Sequence, residues 1–128
     1  MTPERIVKIH DALLELAGER FPYKVARQLA ALNRRVNEET DIISTMERDL
    51  VKQFGGTMSK LGALHFENDE TREAFAAAHA TIMLEENEEV TFPTVDLSKY
   101  TSMMTLSPSA LDALEGIIIF ERGEPDGE

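Results

Sequence analysis

RFPYKVARQLAALNRRVNEETDIISTMERDLVKQFGG, residues 20–56, decides how this chain folds. Val25, Leu29, Leu32, Val36, Ile43, Leu50 and Phe54 fall within about 60° of one another at a helical repeat of about 100° per residue. The stripe holds phase for roughly thirty residues, with Thr40 as its polar break. Pro22 suits a first helical turn, where its missing N–H removes no intrahelical bond. Gly55 and Gly56 supply the stop. The pattern predicts one helix over about 22–54, about 48 Å long at 1.5 Å per residue. A small domain cannot cover such a helix with one neighbour. Either the C-terminal region or a second copy of the chain must take the remainder, so a homodimer through the long helix is one expectation.

The residues before it supply that first neighbour. In TPERIVKIHDALLELAGER, Ile6, Ile9, Leu13, Leu16 and Ala17 form an apolar face, with Thr2 as N-cap, Pro3 at the first position and Gly18 as the expected stop. The two segments predict an antiparallel helical hairpin. Beyond Gly56, LGALHF reads as a short strand. NDETREAFAAAHATIMLEE reads as a third helix capped by Asn68 or Asp69, with Phe75, Ala78, Ile82 and Met83 inward. EVTFPTV alternates Val90, Phe92 and Val95 as an edge strand interrupted by Pro93. LSPSALDALE is a short fourth helix with Ser107 as N-cap, GIIIF a closing strand, and 121–128 a frayed tail. The fold class is therefore α+β, mainly α: the hairpin, a small antiparallel sheet and two shorter helices in a single domain, 1–128.

Composition narrows function by exclusion. The 128 residues contain no cysteine, which removes disulfides, thiolate metal sites and thiol nucleophiles. No apolar run approaches a membrane span, and the N-terminus lacks the pattern of a signal peptide. His10, His65 and His79 have no metal-binding spacing, no serine sits in a nucleophile turn, and GGTMSKLG does not place Lys60 as a phosphate loop requires. These features predict neither catalytic residues nor a cofactor nor a metal, and the chain reads as a non-enzyme.

Charge supplies the one positional signal. The formal net charge is −11, which disfavours direct nucleic-acid binding and favours basic partners. Against that background, residues 20–35 carry five cations and no acid. Lys24, Arg27, Arg34 and Arg35 project opposite the apolar stripe of the long helix. They are read either as charge balance on a solvated face or as a surface for an anionic partner. Pairing of Arg34 with Glu38 and of Arg35 with Glu39 is expected at i,i+4. Glu15 and Glu19 could reach the start of the long helix across the hairpin. With the cations, Ile43, Met46, Leu50 and Phe54 complete the candidate interaction surface, as apolar anchors at an uncovered end of the hairpin.

ALLELAGERFPYKVARQLAALNRRVNEE (12–39), MERDLVKQFGG (46–56) and EENEEVTFPTVDLSKYTSMMTLSPSALDALEGIII (85–119) together resemble a family of small phage and prophage proteins of unknown function. That family commonly has Tyr-Gly where this chain has Phe-Gly-Gly after the long helix. The resemblance implies a virus-encoded protein acting in the bacterial host cytoplasm or within a virion. It brings no catalytic or binding residues with it. The leading expectation is a protein–protein interaction module that assists virion assembly or binds a host factor. Two others stand beside it: an acidic inhibitor that imitates DNA towards a host defence enzyme, and a small anion-binding protein or enzyme built on the basic cluster.

Overall fold

The computed structural model describes residues 1–100 and 105–120. The tail expected over 121–128 lies outside the described residues. Helix α1 spans Pro3–Leu14; Thr2 caps it by accepting a hydrogen bond from the Arg5 amide at 3.2 Å. The helix ends four residues before Gly18. The chain then tightens into i→i+3 bonds, from the Glu15, Leu16 and Ala17 amides to Ala12, Leu13 and Leu14. Gly18 is not in the left-handed region and is not the stop expected of it.

Helix α2 spans Tyr23–Gln53, about 46 Å. Pro22 sits at its N-cap, with no side-chain cap bond. Its C-terminus closes as the two glycines require. Gly55 takes a φ of +70°, its amide donates to the Lys52 carbonyl, and the Gly56 amide donates to Val51 at 2.8 Å. Gly56 is needed for a second reason. A Cβ there would lie 2.6 Å from the Phe66 ring.

The turn after α2 leads into β1 (Thr57–Met58), which pairs antiparallel with β2 (Leu64–His65). Helix α3 (Asp69–Met83) follows, capped by Asn68, whose Oδ1 accepts from the Thr71 amide at 2.8 Å. Asp69 and Glu70 in its first turn complement the helix dipole. Strand β3 is only Val95–Asp96 and starts after Pro93, so Val90 and Phe92 lie outside the ladder. Helix α4 (Pro108–Ala113) has Ser107 as N-cap, as its sequence dictates, and β4 is Ile118–Ile119.

The fold is α+β and mainly α, built around one long helix. A small antiparallel sheet is present as β1–β2, in which LGALHF supplies β2 while β1 lies before any of the expected strands. A second ladder, β3–β4, is parallel, with Val95 opposite Ile118 and Asp96 opposite Ile119. The chain crosses between those two strands through α4, and a connection of that length permits the parallel pairing that a tight hairpin turn would not.

Two separate hydrophobic clusters share the α2 stripe. The larger joins Ile9, Ala12, Leu13 and Leu16 with Val25, Leu29, Leu32 and Val36, and with Val95, Leu97, Ala110, Leu114, Ile117 and Ile118. The smaller joins Leu50 and Val51 of α2 to Phe75 of α3, with Phe54, Leu64, Phe66, Ala78 and Ile82 half-buried around them. One helix therefore serves as the spine of both, and α3 covers the half that α1 cannot reach.

Candidate interaction surface

Burial of Val25, Leu29, Leu32 and Val36 fixes the rotation of α2, and so decides what the opposite face presents. Tyr23 is 78% exposed there, and Lys24, Arg27 and Arg34 are exposed beside it. The Arg27 guanidinium carbon lies 5.8 Å from the centroid of the Tyr23 ring, a cation–π contact that holds the long side chain along the helix. Tyr23, Lys24, Arg27, Gln28 and Ala31 line a shallow groove of about 400 Å³.

The four cations grouped by sequence do not act together. Arg35 is turned away. It bonds Glu39 at 2.5 Å, lies 3.8 Å from Glu38, and sets its guanidinium 5.6 Å from the Phe92 ring centroid. Of the two expected i,i+4 pairs, Arg35–Glu39 forms. Arg34–Glu38 does not, and Glu38 leans to Arg35 instead. Among the described residues, Lys24 and Arg34 make no ion pair.

Glu15 does not reach the start of α2 either. Its carboxylate accepts both the Ser107 amide, at 2.9 Å, and the Ser107 hydroxyl, at 2.7 Å. These bonds, the amide's foremost, hold the Glu15 carboxyl below the usual carboxylate range, against a smaller desolvation effect. Ser107 Oγ meanwhile accepts from the Ala110 amide at 3.1 Å. One serine thus caps α4 and ties it to the end of α1. Of the two acids expected to balance the basic face, Glu15 is committed elsewhere and Glu19 makes no ion pair among the described residues.

The apolar anchors are a correction. Ile43 and Leu50 are 4% and 7% exposed, and Met46 and Phe54 are half-buried. Helix α3 accounts for the far end. Its Phe75 ring meets Phe54 edge-on at 6.2 Å, Phe66 at 5.0 Å and His79 in a stack at 5.7 Å. His79 Nε2 lies 2.7 Å from Glu47 Oε2 and links α3 to α2 through polar atoms. The stripe that a homodimer through the long helix would use is covered within the chain.

What periodicity missed is an exposed apolar point nearby. Leu61 is 97% exposed and Met58 52% exposed, at the end of the β1–β2 hairpin. Ser59 organises that turn. Its amide donates to the Ala63 carbonyl at 2.8 Å, and its hydroxyl accepts from the Leu61 and Ala63 amides at 3.3 and 3.0 Å. Gly62, with a φ of +84°, was the local signal for this turn, at the start of a stretch read as a short strand.

Two adjoining depressions between α1 and α4 carry mixed charge, including Lys8, Asp11, Glu15 and Asp112. Arg5 crosses one of them to bond the Glu115 carbonyl at 2.8 Å. Acids occur on all four helices. Among the described residues no three His, Asp or Glu side chains converge as a metal site, and no helix is long and apolar enough to cross a membrane. Comparison with family models, with curated proteins and with solved structures returns no match.

Proposed function

We propose that this protein is a phage-encoded, non-enzymatic interaction module that engages a protein partner through the solvent face of the first half of α2. It would do so in virion assembly or by binding a host factor in the bacterial cytoplasm. The observation that supports this reading is the unmatched positive charge of Lys24 and Arg34 beside Arg27, on a chain of net charge −11. Some charged side chains are engaged within the fold, Arg35 with Glu39, His79 with Glu47 and Glu15 with Ser107. Single cations such as Lys52, Lys60 and Arg72 are also unpaired among the described residues, so what marks this face is three cations in succession on one side of one helix. The face is rigid because the opposite side of the same turns is core. Such a face steers an encounter by its charge and holds the partner through exposed aromatic surface. The groove is open and lies along a convex helix, which suits a macromolecular surface better than an enclosed small ligand.

The test compares the wild-type protein with the double variant Lys24→Glu, Arg27→Glu as immobilised baits in lysate from infected cells. The expected outcome is a defined protein retained by the wild type and lost from the variant, with both baits giving the same circular dichroism spectrum. Identical capture by the two baits would remove this face from the function.

A further inference from the structure

Resting on that reading of the α2 face, we infer that its partner presents a short, extended acidic segment with one apolar side chain, rather than nucleic acid. The charge on the helix sets the length. Lys24, Arg27 and Arg34 follow one another along the solvent face, and Glu38 and Asp41 then continue the same face with the opposite sign. The positive stretch, from Tyr23 to Arg34, is about 16 Å long at 1.5 Å per residue. An extended chain rising about 3.3 Å per residue covers it with about five residues. A longer polyanion would run onto Glu38 and Asp41 and be repelled, and the net charge of −11 adds to that repulsion.

The groove supplies the apolar part. Ala31 leaves room on the helix between Arg27 and Arg34, and the Tyr23 ring, fixed against Arg27, forms one wall. An apolar side chain seated there would place acids of the same segment on both sides, toward Lys24 and Arg27 and toward Arg34. Tyr23 is a single aromatic on this face, whereas single-stranded nucleic acid is held by several stacked bases.

The probe is the peptide Asp-Glu-Leu-Asp-Glu, titrated into the full chain and followed by amide shifts in two-dimensional NMR spectra. Its amide counterpart Asn-Gln-Leu-Asn-Gln and a hexathymidylate are titrated in parallel. The acidic peptide should move the amides between Tyr23 and Arg34 with a Kd between about 10 μM and about 1 mM. Raising salt from about 50 to about 300 mM should weaken it severalfold, and Arg27→Glu at least tenfold. Arg34→Gln, which reverses no charge, should weaken it by a smaller factor. The amide peptide should leave those signals in place, and the oligonucleotide should bind at least tenfold more weakly than the acidic peptide.

Equal binding of the amide peptide, tighter binding of the oligonucleotide, or no shifts from the acidic peptide at about 2 mM would each overturn the assignment. If those shifts are absent while capture of a lysate protein still depends on Lys24 and Arg27, the face remains an interface and only the acidic segment is refuted.

Discussion

Truncating Phe75 to alanine tests whether α3 is what covers the far half of the long helix. Phe75 is 8% exposed and is the single buried side chain that α3 contributes. It contacts Phe54, Phe66 and His79 and packs with Leu50 and Val51. Removing a buried phenylalanine costs about 3–5 kcal/mol, as lost transfer energy and a residual cavity. For 128 residues the unfolding entropy near the midpoint is about 0.27 kcal/mol per kelvin. The Tm should therefore fall by about 11–18 °C, read by circular dichroism at the helical minimum. Phe75→Leu, which keeps most of the volume, should lose less than half as much. Loss of this contact also uncovers Leu50, Phe54 and the neighbouring stripe, so Phe75→Ala should begin to self-associate as concentration rises, measured by light scattering. A Tm drop under about 4 °C, equivalent to about 1 kcal/mol, would mean that Phe75 does not hold α3 to α2. The reasoning that places Leu50 and Phe54 under α3 would then fail.

Two further outcomes follow from single contacts. Gly56→Ala sets a methyl group 2.6 Å from the Phe66 ring and 3.0 Å from Val51, and should destabilise by about 1–3 kcal/mol in urea titration; an unchanged midpoint would show that Phe66 swings aside freely. Glu15 binds its proton less readily when folded, because Ser107 donates two hydrogen bonds to its carboxylate. Its stabilising contribution is complete above the unfolded glutamate value of about 4.3 and is lost as pH falls through the lower folded value. Glu15→Gln should therefore be less stable at neutral pH and lose less stability than the wild type on acidification, measured as urea midpoints between about pH 6 and about pH 3. Parallel pH curves for the two proteins would refute the Ser107 clasp.

Helix existence, phase and several ends were legible in the chain because their causes are local. The α2 stripe, the Gly55–Gly56 stop, the Asn68 and Ser107 caps and the outward basic row all depend on residues within two turns of one another. Pro22, Pro93 and Gly18 show the limits of such local signals. Pro22 fell one position earlier than its preference suggested, Pro93 removed Val90 and Phe92 from a strand, and Gly18 stood beyond a helix that had already closed.

What the tertiary structure alone decided is which partner each surface meets. Glu15 lies 92 residues from Ser107, and His79 lies 32 from Glu47. No helical or strand period relates such positions, so Glu15 was free to be assigned to the basic face until α4 was seen packed on α1. The direction of β4 depended likewise on how the chain returns through α4, and the fate of Leu50 and Phe54 on where α3 docks. The sequence by itself determined a long amphipathic helix with cations on its outer face. Packing determined that its apolar side is closed within one chain, that Arg35 is neutralised, and that among the described residues Lys24 and Arg34 are left without an ion pair. The physical reason is one of range: backbone bonds and side-chain periods act over a few residues, whereas burial and charge pairing join whichever surfaces the chain brings together.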